Sequence, residues 1–386
     1  MPTAAAQRSE VVDVPSVAGN VDLRVARTNG VTALQAAVLL PDGYDEQPDR
    51  RWPVLYLLHG VGDDATRWLD PKKGDAQRRA TGFPGIIVMP EGGRGYYTDA
   101  WLGGSRTRMN WERYLLDEVL PAMEQRYRIA PGRAHHAIGG LSMGAYGATL
   151  LGAQLPSYFG TILNFSGLFN IEDPQAETLI PFFSHFSYTR QWGRPRGPYA
   201  QAHNPSRLLN NLRATRLYVA TGNGSAGSDV PFDLSPQVFG GLTELLELHD
   251  SERFVGLARG AGLDVTFRSH TVGVHYWPYW RRALQAAISW GVFGEPAGGS
   301  TAQRTSFTYR TMAPHGNAWG IGFRFAAPPS AVMEMTRDGQ HLAASGAGTV
   351  TVTPGAADAD ATGAGAQSAC QFTAALPFSR ELPAGC

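Results

Sequence analysis

The 386-residue chain has almost no lysine, only two cysteines and no formal net charge. Its 33 basic and 33 acidic residues cancel, so no field draws it to nucleic acid or to an anionic membrane surface. Lysine stands only at Lys72 and Lys73, which with the many Ala and Gly reads as the coding bias of a GC-rich genome. No run of about 18 apolar residues occurs, so no transmembrane helix is expected. Met1 to Glu10 lacks the apolar stretch of a signal peptide. That leaves a cytoplasmic protein, or a chain that begins after a removed signal. The cysteines favour the second, a secreted or cell-envelope protein. Cys370 and Cys386 both lie near the C-terminus, and a bridge between them would be worth roughly 3 kcal/mol in the chain-entropy model.

What is present is a folded α/β pattern. Residues 11–40 alternate apolar and polar positions, as in Val21-Asp22-Leu23-Arg24-Val25, and read as antiparallel strands. Continuous apolar runs follow at Val54–Leu58, Ile86–Met89, His136–Gly140, Leu217–Thr221 and Val265–Arg268. Such runs suit strands buried on both faces of a parallel sheet. Between them, Trp111–Tyr127, Gly144–Leu155, Leu242–Ala261 and Trp277–Phe293 show helical spacing. Strands alternating with helices predict a mostly parallel sheet covered on both sides, here over residues 10–293. Residues 294–305 are Gly/Ala/Ser/Pro-rich and read as a linker. Short alternating stretches in 306–386 predict a small β-sandwich-like domain of roughly 80 residues, and Ala356–Ser368 is a low-complexity loop.

Gly140-Leu141-Ser142-Met143-Gly144 lies between a strand and a helix. A G-x-S-x-G turn needs small neighbours because its backbone is strained and closely packed, and it lifts the serine hydroxyl above the sheet edge. Ser142 is therefore the expected nucleophile of an α/β-hydrolase fold. A serine needs a base, and His275, after the last strand, stands where that fold carries it. His270 is the competing histidine; His135 and His136 read as structural. The acid must fall between them in the chain, and Asp229, Asp233, Glu244 and Glu247 are open candidates. The oxyanion donors are expected to be the backbone N–H groups of Met143 and of Val61, after His59-Gly60. His59 reads as a holder of that loop.

These residues resemble the Putative esterase family of α/β-hydrolases, which holds esterase D, the S-formylglutathione hydrolases and the mycobacterial mycolyltransferases. The resemblance runs over about residues 10–293. It is carried by Tyr56-Leu57-Leu58-His59-Gly60, Asn110-Trp111-Glu112, Gly140-Leu141-Ser142-Met143, Asn164-Phe165-Ser166-Gly167, Gly222-Asn223-Gly224 and His275-Tyr276-Trp277-Pro278-Tyr279-Trp280. It implies Glu244 as the acid, with Glu247 one turn on as its rival, and places Trp277 beside an acyl channel. Arg67, Trp68 and Asp64, after the oxyanion loop, are expected to shape the substrate mouth. Departures are His59 where mycolyltransferases carry Asp, the absent Cys pair before the Trp-Glu helix, and the extra residues 306–386.

The expected activity is hydrolysis of a small-molecule, lipid or carbohydrate ester through an acyl-enzyme, with no metal or organic cofactor. Acyl transfer to a sugar hydroxyl is the second expectation, and a silent binding protein on the same fold the third. The C-terminal domain is expected either to cover the hydrolase or to touch a polymer or the cell envelope, with Trp319 and Phe323 as a candidate binding face.

Overall fold

The computed structural model describes residues 7–101, 109–184, 187–228, 230, 238–296, 299–356 and 370–386. Eight strands form the main sheet: β1 (Arg8–Asp13), β2 (Gln35–Leu40), β3 (Val54–Leu58), β4 (Ile86–Pro90), β5 (His136–Leu141), β6 (Thr161–Phe165), β7 (Arg216–Thr221) and β8 (Asp264–Ser269). Their spatial order is β1-β2-β4-β3-β5-β6-β7-β8. β1 and β2 pair antiparallel with each other, as β2 does with β4, and every later pairing is parallel. Strand residues alternate between two cores. Tyr56, Val88, Ile138 and Val219 face one, and Leu57, Met89, Leu163 and Tyr218 face the other. Burial on both sides is why these strands read as unbroken apolar runs.

Four long helices matter for the site: α1 (Met143–Gln154), α2 (Pro174–Ser184), α3 (Gly240–Gly260) and α4 (Trp277–Trp290). Two local readings need correction. Leu23–Arg27, expected as strand, is a short helix whose N-cap Asp22 accepts the Arg24 N–H at 2.9 Å. That side chain satisfies an orphan helical donor, which the apolar alternation does not register. The helix expected over Trp111–Tyr127 is α-helical at Trp111–Arg113 and Leu120–Arg126 and π-helical at Tyr114–Val119. Pro121 lacks the N–H that would close the regular ladder, and the wider turn lies just before it.

Where a linker is expected, Gly299–Thr305 is helical and runs directly into the C-terminal module. This module has two four-stranded antiparallel sheets. One runs β10 (His315–Ala318), β11 (Ile321–Phe325), β14 (Thr349–Pro354), β15 (Phe372–Ala375). The other runs β16 (Phe378–Glu381), β13 (His341–Ser345), β12 (Met333–Asp338), β9 (Ser306–Thr311). Residues from both sheets share one core, with Tyr309, Phe323, Met335 and Val352 at its centre. Trp319 and Phe323 are 2% and 0% exposed, so the binding face expected of them does not exist: both fill this core. Most of the low-complexity loop lies outside the described residues. Cys370 and Cys386 are disulfide-bonded, with Cα atoms 5.8 Å apart.

The module docks on the back of the hydrolase through buried polar pairs. Tyr309 Oη donates to the Gln154 carbonyl at 2.8 Å, and Thr311 Oγ1 to Gln154 Oε1 at 2.8 Å. Asn211 and the Arg310 backbone exchange two hydrogen bonds, each 2.9 Å. Arg133, 6% exposed, donates to the carbonyls of Pro156, Phe159 and Ala214 and lies 4.9 Å from the Trp319 ring centroid. Gln154 ends the helix that Ser142 begins, so the module sits at the end remote from the nucleophile.

Candidate active site

Ser142 stands between β5 and α1 with φ 53° and ψ −121°. A non-glycine residue at positive φ is strained, and the surroundings must hold it there. Gly144 shows how tightly: a Cβ there would lie 2.6 Å from the carbonyl oxygens of Leu58 and His59. One at Gly140 would meet the Gly144 backbone at 2.6 Å. The two glycines let the turn sink against β3 while the serine side chain projects from it.

Ser142 Oγ is 2.8 Å from His275 Nε2. On the far side of the ring, Nδ1 is 3.0 Å from Glu244 Oε2. The carboxylate fixes the tautomer: Nδ1–H donates to Glu244, leaving Nε2 to accept the serine proton. Glu244 itself is 1% exposed on α3. Its Oε1 accepts from Ser166 Oγ at 2.7 Å, Thr221 Oγ1 at 3.0 Å and the Gly222 N–H at 2.6 Å. Burial pushes this carboxyl up, but the contacts with His275, Gly222 and Ser166 outweigh it, and the group falls below its ordinary 4.5. Trp280 closes the assembly. Its ring stands edge-on to His275 at 4.9 Å, and its indole N–H reaches Ser166 Oγ at 3.3 Å.

Residues 31–290 match the family described as Putative esterase. The chain belongs to this family. Among its esterase-family relatives is the diacylglycerol acyltransferase/mycolyltransferase Ag85C of Mycobacterium avium, 29% identical over 247 residues, 60% of this chain and 68% of that one. An esterase of Mycobacterium tuberculosis is 30% identical over 195 residues, 48% of this chain and 42% of that protein. The solved structure of Mycobacterium tuberculosis MPT51 (FbpC1) shares the fold at a TM-score of 0.58 and 22% identity, over 74% of this chain and 98% of its own.

Beside Ser142 the esterase-family chain opens a cavity of about 150 Å³. Val61 and Met143 both line it, and among the described residues neither backbone N–H is spent on a backbone carbonyl. The Val61 loop is held by His59, 1% exposed, whose Nδ1 donates to the Gly60 carbonyl at 2.9 Å and whose Nε2 accepts the Gly92 N–H at 3.1 Å. The cavity wall is largely apolar, with Leu168, Leu179, Ile180, Tyr96 and Tyr146 in its lining. Sequence reasoning did not name these wall residues. The local signal for Tyr96 was the Gly-rich stretch Gly92-Gly93-Arg94-Gly95, after which Tyr96 and Tyr97 take φ 54° and 55°.

The residues expected at the mouth stand elsewhere. Trp68 is fully buried, donates its indole N–H to the Leu58 carbonyl at 3.0 Å and packs edge-on against Trp277 at 5.2 Å. Trp277, 6% exposed, belongs with Trp68 to the core beneath the sheet and does not line the cavity; the aromatic at the site is Trp280, three residues on. Arg67 is held at the surface by Asp64 at 3.0 Å and Asp70 at 3.7 Å and does not line the cavity, although Asp63, 4.0 Å from its Nε, does. Asp64 also takes the Thr66 N–H at 2.8 Å and serves the loop.

His270 is exposed and joins only the rear of the acid site. His136 lies between the Ala130 and Tyr158 carbonyls, and burial lowers it to about 4; His135 is exposed. Asp229 and Asp233 lie outside the described residues. Glu247, the rival acid, lines the cavity and is not bonded to His275.

Proposed function

We propose that this chain is a serine esterase that cleaves carboxylic esters through an acyl-enzyme. The observation that carries the reading is the unbroken relay Ser142–His275–Glu244, opening on a cavity beside two unspent backbone amides. Ser142 Oγ attacks the ester carbonyl while His275 Nε2 takes its proton. The tetrahedral oxyanion is received by the Val61 and Met143 N–H groups, each worth about 2.7–4 kcal/mol in the transition state. His275 returns the proton to the departing alkoxide, then takes one from water for deacylation. Glu244 stays ionised throughout and stabilises the imidazolium.

The cavity bears on the acyl group. About 150 Å³ is the size of a cavity that holds a benzene-sized group, comparable to a short acyl group. Hydrolysis of p-nitrophenyl esters from acetyl to dodecanoyl is therefore expected to peak at short chains. Ser142→Ala should lower turnover on the order of 10⁶-fold; turnover within tenfold of wild type refutes the reading. Likeness to Ag85C supports a second reading, acyl transfer to a sugar hydroxyl in place of water. Product analysis with trehalose and glycerol as acceptors separates the two, and free acid alone with every acceptor counts against transfer. The Cys370–Cys386 bond supports a place outside the cytoplasm, where disulfides persist.

A further inference from the structure

One side chain of the cavity has chemistry that the esterase reading leaves unused. Glu247 lies one turn after Glu244 on α3 and is 6% exposed. Its Oε2 is buried and has no hydrogen-bond partner in the protein. Burial, then the charges of Asp250 and Glu244, raise it well above the carboxylate range. That direction favours the protonated carboxyl, which has an O–H to give. Its acidic neighbour is already committed: Asp250 Oδ2 accepts the Phe169 and Asn170 N–H groups at 2.6 and 3.1 Å. The cation nearby, Arg253, pairs with Asp173 at 3.2 Å. The rest of this wall is mixed: Leu168, Leu179 and Ile180 are apolar, and Asn170, Gln175, Thr243 and His249 add polar groups. Buried polar groups in native proteins are nearly always partnered, so an unpartnered carboxyl on a residue that lines a cavity is open to a polar atom of the ligand.

We propose that Glu247 sets acyl specificity: its carboxyl O–H donates to an oxygen carried by the acyl group, so the preferred substrates are esters of short oxygenated acids. The inference rests on the esterase reading. The acyl group is assigned to this cavity because it stays bonded to Ser142 after the alcohol leaves. An ether, hydroxyl or keto oxygen on an apolar body meets both the donor and the wall.

The test compares p-nitrophenyl hexanoate with analogues in which one chain methylene is an ether oxygen, at each position in turn. Each kcat/KM is divided by the same ester's hydroxide rate, which removes intrinsic reactivity. Wild type should favour one ether position by about tenfold, the scale of one net hydrogen bond made in a buried site. Glu247→Leu should bring that ratio to about one, and Glu247→Gln, which keeps an N–H donor, should retain part of it. A flat wild-type series overturns the inference without any variant. So do equal losses on plain and ether esters in both variants, the mark of a structural role. A preference for oxygen only in the alcohol portion overturns it as well. If wild type cleaves no ester and a fluorophosphonate leaves Ser142 unlabelled, the esterase reading falls, and this inference with it.

Discussion

Replacing Glu244 by Gln changes one charge and almost no volume, and its effect can be worked out atom by atom. Oε1 takes three donors, from Ser166, Thr221 and Gly222, the last at 2.6 Å. An amide NH₂ at that position would face three donors, so the glutamine must keep its oxygen there. Its NH₂ then points at His275 Nδ1, where the carboxylate oxygen stood at 3.0 Å. Nδ1 must accept, so the ring proton moves to Nε2. The atom that should take the Ser142 proton at 2.8 Å is then already protonated. Enforcing the wrong tautomer costs about 10⁴ in kcat in the serine-protease case, or ~5.4 kcal/mol of barrier. We expect a fall of that order on p-nitrophenyl acetate, with near-wild-type circular dichroism. The loss is kinetic and need not lower the melting temperature in proportion. A kcat within tenfold of wild type would refute the reasoning, because it would mean that Glu244 does not fix the tautomer.

Three other perturbations test separate parts. Gly144→Ala puts a Cβ against the Leu58 and His59 carbonyls, and should abolish activity and lower stability even though alanine favours helix; an active, equally stable variant would contradict the packing. Arg133→Met leaves the buried Pro156, Phe159 and Ala214 carbonyls without the donor that Arg133 supplies, and should cost about 3–5 kcal/mol in denaturant titration. Glu247 holds a proton in the folded state that the unfolded chain releases above about 4.5, so its burial costs more stability as pH rises from there toward its raised folded value. Melting scans should therefore show Glu247→Gln gaining on wild type as pH rises above about 4.5; a constant difference would mean that the fold does not raise Glu247.

The central sheet was legible because its strands are buried on both faces, which leaves unbroken apolar runs as the sequence signature. Ser142 was legible because its turn demands glycines at fixed offsets. The acid was not. Glu244, Glu247 and Asp250 repeat every three residues along α3, a spacing that elsewhere marks a solvated face, yet all three are buried. Periodicity does not separate them; the family resemblance pointed to Glu244, and the fold shows the difference: one meets His275, one faces the cavity, and one takes the backbone after β6. Trp68 and Trp277 misled for a related reason. Closeness in sequence to a catalytic loop does not say which side of the sheet a side chain takes, and both turn beneath it. The π-helical stretch was announced only by Pro121, and the Asp22 cap only by one polar residue inside an alternating pattern.

The docking of the C-terminal sheets has a consequence for how the protein comes apart. Ala214, a hydrolase residue, is part of the sandwich core, and Arg133 binds the hydrolase carbonyls while stacking on Trp319. Gln154 carries both Tyr309 and Thr311. Neither part can open without stranding polar groups that the other satisfies. Heating should therefore give one calorimetric peak, with the sandwich and the nucleophile helix lost together, so that damage to the distal sheets silences the serine as surely as damage beside it.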